Sequence, residues 1–188
     1  MGQNLVTKAE YKAYAGISST NQDAEIDSLI PKVSELVKTY CRRTFVDFVE
    51  DAKTEVTRGG FNTILLAESP VTQIISVSTS DDYGQTYTKL TKFADRVQDG
   101  DSVVSLNPEG FKEKIAGYKV SYFAGYESLP EDLKLAVLDI IQYYLKNSSA
   151  VHTTKSVSPN TMQVEYLSGS QFPAHIRRVL DMYKANYL

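Results

Sequence analysis

Apolar residues recur at steps of three and four from Ile26 through Leu29, Ile30, Val33, Leu36 and Val37 to Tyr40, the stripe of an amphipathic helix. Ser19-Thr20-Asn21-Gln22-Asp23 ahead of the stripe is rich in helix-start residues, so the pattern predicts a helix over about 22–42. Pro31 lies inside it, where the ring removes one backbone bond and crowds the carbonyl of Asp27 at a cost of about 3 kcal/mol. A kink or a restart is expected there. A shorter helix, about 8–15, comes first: Thr7 and Glu10 have the spacing of a capping box, Val6 and Tyr11 are placed as a hydrophobic staple, and Gly16 suits a left-handed stop.

From Thr54 to Phe123 the helical period gives way to short β-rich runs. They are Thr63 to Leu66, Thr72 to Thr79, Tyr87 to Leu90, Ser102 to Leu106 and Tyr118 to Phe123. Between them stand Ser69-Pro70, Asp81-Asp82-Tyr83-Gly84, Gln98-Asp99-Gly100-Asp101 and Asn107-Pro108-Glu109-Gly110, residues that favour turns for steric or side-chain bonding reasons. A small antiparallel sheet over about 54–123 is the economical interpretation.

Leu129-Pro130-Glu131-Asp132-Leu133 opens a third helix over about 130–146, with Pro130 at the first helical position and two acids at the positive end of the helix dipole. Leu133, Ala136, Val137, Ile140, Ile141 and Tyr144 supply its apolar face. A polar stretch over 148–171 follows, in which Met162, Val164 and Tyr166 alternate with Gln163 and Glu165, so a lone strand within an extended loop is expected. Phe172-Pro173 then leads into a last helix, about 173–187, carrying Ile176, Val179, Leu180, Tyr183 and Tyr187.

These elements predict a mainly α protein with a β-insertion, of α+β class. It would be a small four-helix bundle interrupted between helices 2 and 3 by an antiparallel sheet or hairpin, all in a single domain over 1–188. The core should join Ile26, Leu29, Val33, Leu36 and Val37 to Leu133, Val137, Ile140, Ile141, Val179 and Leu180.

Composition changes the picture mainly by exclusion. A net charge of -3 disfavours a protein that grips nucleic acid through its phosphates. No run approaches the roughly 18 apolar residues of a membrane span, and the start of the sequence lacks a signal pattern, so folding in a cytoplasm and no membrane partner are expected. Cys41 sits in the apolar stripe and reads as a buried, inert thiol.

Catalytic chemistry finds little to work with. His152 and His175 lie in no nucleophile context, and one cysteine with two distant histidines makes no structural zinc site. The acids between Asp95 and Asp101 lack a calcium loop's alternation, and Gly59-Gly60 lacks the frame of a phosphate loop. Arg42-Arg43 and Arg177-Arg178 read as helix-end or inter-subunit charges. No catalytic residue, cofactor or metal site is therefore predicted, and no enzymatic activity. Thirteen tyrosines against no tryptophan fit a protein with extensive interfaces.

The order of motifs resembles the head-tail connector (adaptor) proteins of tailed bacteriophages, along nearly the whole chain. Leu5 to Ile17 resembles the family's short opening helix and glycine stop, and Asp23 to Tyr40 with Cys41-Arg42-Arg43-Thr44-Phe45 its long second helix and exit. Ser69 to Val77 resembles its first insertion strand. Val120-Ser121-Tyr122-Phe123-Ala124-Gly125-Tyr126, running into Leu129 to Ala136, resembles its strand, aromatic-glycine corner and proline-started third helix. Phe172-Pro173 through Tyr183 resembles its last helix. Pro31 and the long β-region are more elaborate than in the plainest members.

The resemblance implies a structural virion protein of the neck, assembled in the host cytoplasm as a twelve-fold ring of identical copies. The portal protein would lie above it, a stopper or tail protein below, and genomic DNA would pass through without sequence-specific binding. The alternatives are another neck or tail-completion protein, or a small DNA-binding regulator.

Ser148 to Gln171 is too long for a connection between adjacent helices, where roughly 2 to 8 residues suffice. Extended, it would reach at most about 80 Å at roughly 3.3 Å per residue. Met162, Val164 and Tyr166, with Arg177, Arg178, Tyr183, Tyr187 and Leu188, are therefore the expected contacts to the portal or a neighbouring subunit.

Overall fold

The structure is a computed structural model; it describes residues 2–59, 62–91, 93–98, 102–105, 110–146, 153–158, 161–166 and 172–185. In chain order the elements are α1 (Lys8–Ala15), α2 (Asp23–Cys41), β1 (Lys53–Thr57), β2 (Thr63–Leu65), β3 (Val71–Thr79), β4 (Thr88–Lys89) and β5 (Phe93–Gln98). There follow β6 (Ser102–Ser105), β7 (Tyr118–Ala124), α3 (Glu131–Lys146), β8 (Thr153–Ser158), β9 (Thr161–Tyr166) and α4 (Ala174–Met182). They divide into two compact units, one of Met1–Arg42 with Leu129–Leu188 and one of Arg43–Ser128.

In the first unit α1 begins and ends as its sequence dictates. The Glu10 amide donates to Thr7 Oγ1 at 3.2 Å while the Thr7 amide donates to Glu10 Oε2 at 2.8 Å, which closes the capping box. Gly16 stops the helix at φ 66. A Cβ there would meet nothing within 4 Å, so handedness alone asks for glycine.

Pro31 does not restart α2, which runs continuously through it. The proline is exposed, as is Asp27, whose carbonyl loses its helical donor to the ring. The buried stripe is Ile26, Ile30, Val33, Val37 and Cys41, which leaves Leu29 half-buried on its edge and Leu36 38% exposed. Leu36 is thus not the core residue that its spacing suggests. The segment before α1 covers another part of α2: the Leu5 amide donates to Ser34 Oγ at 3.0 Å, and the buried Lys38 donates to the Gln3 carbonyl at 2.7 Å.

α3 is the central helix and meets the other three. Leu133, Val137 and Ile141 are completely covered, and Ala136, Leu138 and Ile140 nearly so. α4 adds Ile176 and Leu180 to this core, whereas Val179 is half-buried. The last helix is shorter than its pattern predicts, because the Ala185 amide donates to the Cys41 carbonyl at 2.9 Å and so leaves the helical path.

A four-helix bundle with a hairpin insertion is not what forms. α1 and α4 have 8 and 9 residues against 19 and 16 in α2 and α3. At 1.5 Å per residue they flank the long pair without matching it. The β-region, for its part, builds a core of its own.

In the second unit an antiparallel sheet runs in the order β1-β7-β3-β4. β7 is central, pairing with β1 from Lys53↔Tyr122 to Thr57↔Tyr118 and with β3 from Val71↔Ala124 to Thr79↔Tyr118. Its buried positions are Tyr118, Val120, Tyr122 and Ala124, alternating with half-buried ones as a sheet with one covered face requires. Ile74 and Val77 of β3 join them, with Ile64, Leu66 and Phe111. A second sheet has the order β2-β6-β5.

The stretch expected as a loop with one strand contains a hairpin, β8 paired with β9 from Thr153↔Tyr166 to Ser158↔Thr161. β8 reads Thr-Thr-Lys-Ser-Val-Ser, with a single aliphatic residue, so it lacks the alternation that marks β9.

Candidate interaction surface

α4 turns Ile176 and Leu180 inward and leaves His175, Arg177, Arg178 and Met182 exposed, Met182 by 71%. Arg178 and Met182 are four positions apart and share a face. Neither arginine forms an ion pair among the described residues.

The helix is held by α2 and α3. The Tyr40 hydroxyl on α2 donates to Asp181 at 2.6 Å, the Cys41 thiol donates to the Leu180 carbonyl at 3.5 Å, and the Tyr183 hydroxyl donates to Asp132 of α3 at 2.6 Å. Phe172 packs edge-on against Tyr40 at 5.2 Å, and Lys184 lies 5.0 Å from the centre of the Tyr40 ring. Burial, then the bond to Asp181, pushes the Tyr40 hydroxyl up to about 12. Cys41 is completely covered, the burial that its place in the apolar stripe suggests.

Among the expected interaction residues, Arg177 and Arg178 therefore sit on the outward face of a firmly seated helix, and Tyr183 is half-buried and bonded within its own unit. Met162, Val164 and Tyr166 occupy alternate positions of β9, in register with Val157, Lys155 and Thr153 of β8. Tyr187, Leu188 and His152 lie outside the described residues.

A second exposed feature lies at one end of the four-stranded sheet, where the β3–β4 turn meets the loop before β7. Asp82 organises the turn: its carboxylate accepts from Ser80 Oγ at 2.7 Å, the Thr86 amide at 2.8 Å and Thr86 Oγ1 at 2.5 Å. These bonds, those from Thr86 foremost, hold its carboxyl down at about 2. Ser80 Oγ accepts from the Gly84 amide at 2.8 Å, and the Tyr87 hydroxyl donates to the Ala116 carbonyl at 3.0 Å, joining the two loops. Lys114 is paired with Asp81 at 2.5 Å.

This tip holds Tyr83 at φ 60 and Ala116 at φ 49, left-handed conformations that side chains other than glycine seldom adopt. Tyr83 is 77% exposed and Ile115 60%. Between them an open cleft of about 380 Å³ is lined by Ser80, Asp81, Tyr83, Glu113, Lys114 and Ile115. In the sequence, Asp81-Asp82-Tyr83-Gly84 signals a turn and nothing more; the exposure of the ring follows from bonds to residues four and more positions away.

A polar cluster secures the opposite part of this unit. The carboxylate of Glu68, 6% exposed, accepts from the Thr44 amide at 3.1 Å and from Lys53 at 3.2 Å. Tyr122 donates to Glu55 at 3.1 Å and accepts from the Glu68 amide at 3.3 Å. Every acid in it has a partner. No group of three or more metal-ligating side chains occurs among the described residues, and no described helix is long and apolar enough to cross a membrane.

A family model described as head completion protein matches residues 4–186. The chain belongs to the head completion protein family. The expected kinship with head-tail connector proteins holds at this level, and the family's role is structural. Solved structures that share the fold of the chain include three of gene transfer agent (GTA) particles. One is the "Neck of native GTA particle computed with C12 symmetry", 13% identical over 100% of this chain and 97% of that one, with a TM-score of 0.60. Another, the "Neck of empty GTA particle computed with C6 symmetry", is 12% identical over 98% and 91%, with a TM-score of 0.61. The third, the "Virion of native gene transfer agent (GTA) particle", is 12% identical over the same shares, with a TM-score of 0.62. No curated protein sequence matches the chain.

Proposed function

We propose that the chain is a structural subunit of the virion neck, an adaptor that forms a closed ring between the portal and the stopper or tail and lines the channel for passing DNA. The observation that carries this reading is the match to the head completion family over residues 4–186. A fold shared along the whole chain with proteins of particle necks supports it, as does the C12 symmetry named for one of those necks.

The physics of a ring suits the molecule. One heterologous contact repeats until it closes, and modest contacts gain strength once a partner ring of matching symmetry engages many at a time. A net charge of -3 lets a subunit border DNA without gripping it. The chain acts without catalysis. Contacts to the portal or to a neighbouring copy are carried by Met162, Val164 and Tyr166 of β9, by Arg177 and Arg178 of α4, and by Tyr183, Tyr187 and Leu188.

Loss of the chain from a producing cell should leave filled heads and finished tails that do not join, and supplying it in trans should restore joined particles. Reconstruction of the neck should find it as a ring against the portal. Joined particles of normal yield without the chain would overturn the reading.

A further inference from the structure

The two exposed features lie in different units of the chain and have complementary chemistry. The cleft at the sheet tip has apolar walls, Tyr83 and Ile115, and a rim on which Lys114 is already engaged by Asp81 and Thr79. The uncompensated charge on that rim is Glu113, which is exposed and forms no ion pair among the described residues. α4 offers the converse: Met182, apolar, unbranched and 71% exposed, one turn from Arg178, which forms no ion pair among the described residues.

We propose that Met182 of one copy enters the Tyr83–Ile115 cleft of the next copy, with Arg178 meeting Glu113, as the repeated contact that closes the ring. The proposal rests on the adaptor reading and gives its ring a specific joint. Such a contact is heterologous, since knob and cleft are different patches of one chain, and that is the kind of contact from which cyclic rings are made. The cleft is well suited to serve as the receiving side. Its loops are fixed by the Asp82 and Tyr87 bonds before any partner arrives, so little ordering entropy remains to be lost on docking. A thioether against the face or edge of a tyrosine is a favourable contact, and methionine adapts to an irregular cleft.

The test is a chain carrying Met182→Cys and Ile115→Cys together, incorporated into particles and mildly oxidised. The native Cys41 is completely covered and does not interfere. The contact predicts a covalent ladder of chains rising to the full ring, with neither single variant giving more than background. Incorporation of the double variant into necks without a ladder would overturn the contact while leaving the adaptor role intact. Absence of the wild-type chain from necks would remove both. Should the cysteine pair block assembly, charge reversal decides: Arg178→Glu and Glu113→Arg should each lower ring yield about tenfold, and the two together should restore it to within about twofold. Yields that simply add, with no recovery in the double variant, would refute the contact.

Discussion

The hydroxyl of Tyr40 on α2 donates a 2.6 Å hydrogen bond to Asp181 on α4. The same pairing recurs between Tyr14 of α1 and Asp139 of α3 at 2.5 Å, and between Tyr183, just after α4, and Asp132 of α3 at 2.6 Å. Tyrosine abundance suggests interfaces between molecules; at these three positions it joins helices within one. In each pair the hydroxyl reaches a carboxylate, the polar handle that tyrosine adds to an aromatic body.

These ties make the fold sensitive to alkali. The bond to Asp139, then burial, pushes the Tyr14 hydroxyl up to about 12, matching Tyr40. Below the unfolded value of 10.0 both states hold the proton, so the stabilisation is fully present. From there to about 12 the unfolded chain releases protons that the folded chain keeps, and stability falls as pH rises. Tyr14→Phe with Tyr40→Phe should cost about 0.5 to 1 kcal/mol per bond at neutral pH. Urea unfolding across the alkaline range should show a shallower decline in the double variant; an unchanged slope would show that other groups govern it.

Much of the helical frame was legible because its signals are local. Thr7, Glu10 and Gly16 act within one or two turns, and the α3 stripe needs only its own spacing. The parts that escaped depend on distant partners. β1 reads Lys-Thr-Glu-Val-Thr, with no apolar alternation, because its Lys53 serves Glu68 in the β2–β3 connection and its Glu55 serves Tyr122 on β7. β5 is masked by a bulge between Ala94 and Val97 that breaks its period. The fold class failed for a related reason: alternation in β7 tells that one face is covered, not that the cover comes from Ile64, Leu66 and Phe111 and makes a second core. Among the interaction residues, the exposure of Arg177 and Arg178 follows from the α4 stripe, whereas the Tyr83 tip is set by tertiary bonds.

The displaced edge of the α2 stripe yields a direct comparison. Leu133 is completely covered, so Leu133→Ala should destabilise by about 2 to 5 kcal/mol, the cost of lost contacts plus a cavity. Leu36 is 38% exposed, and Leu36→Ala should cost under about 1 kcal/mol, near the range of ordinary surface changes. Equal losses in denaturant unfolding would contradict the burial of the two positions.

Two glycines separate the demands of handedness and of space. At Gly16 a Cβ meets nothing, so Gly16→Ala should cost only about 1 kcal/mol, the price of a left-handed alanine. At Gly125, with φ 116, the added atom would lie 2.4 Å from the Phe45 carbonyl oxygen, the same oxygen that accepts from the Tyr126 amide at 2.7 Å. Backbone must move and that bond must stretch, so Gly125→Ala should cost more than about 3 kcal/mol, handedness and a lost buried bond together. Thermal unfolding of the two variants side by side measures the difference, and similar melting temperatures would discount the close approach at Gly125.

The last prediction concerns the completely covered ring of Tyr122. Its hydroxyl accepts from the Glu68 amide and donates to Glu55, whose carboxylate also receives the Ala67 amide at 3.2 Å. Burial, then the Glu55 charge, drives the hydroxyl far above its ordinary value, so it remains a neutral donor throughout the accessible pH range. Tyr122→Phe keeps the ring and removes both bonds. The Glu68 amide is left without that acceptor and Glu55 with one donor fewer, a loss of about 1 to 3 kcal/mol because a stranded polar group bears its full desolvation cost. Lys53→Met should act on the same cluster by removing the cation beside buried Glu68. Since Lys53 and Tyr122 converge on neighbouring parts of one network, the double variant should lose less than the two single losses combined. Strict additivity in a double-mutant cycle would mean that the two residues support the sheet independently.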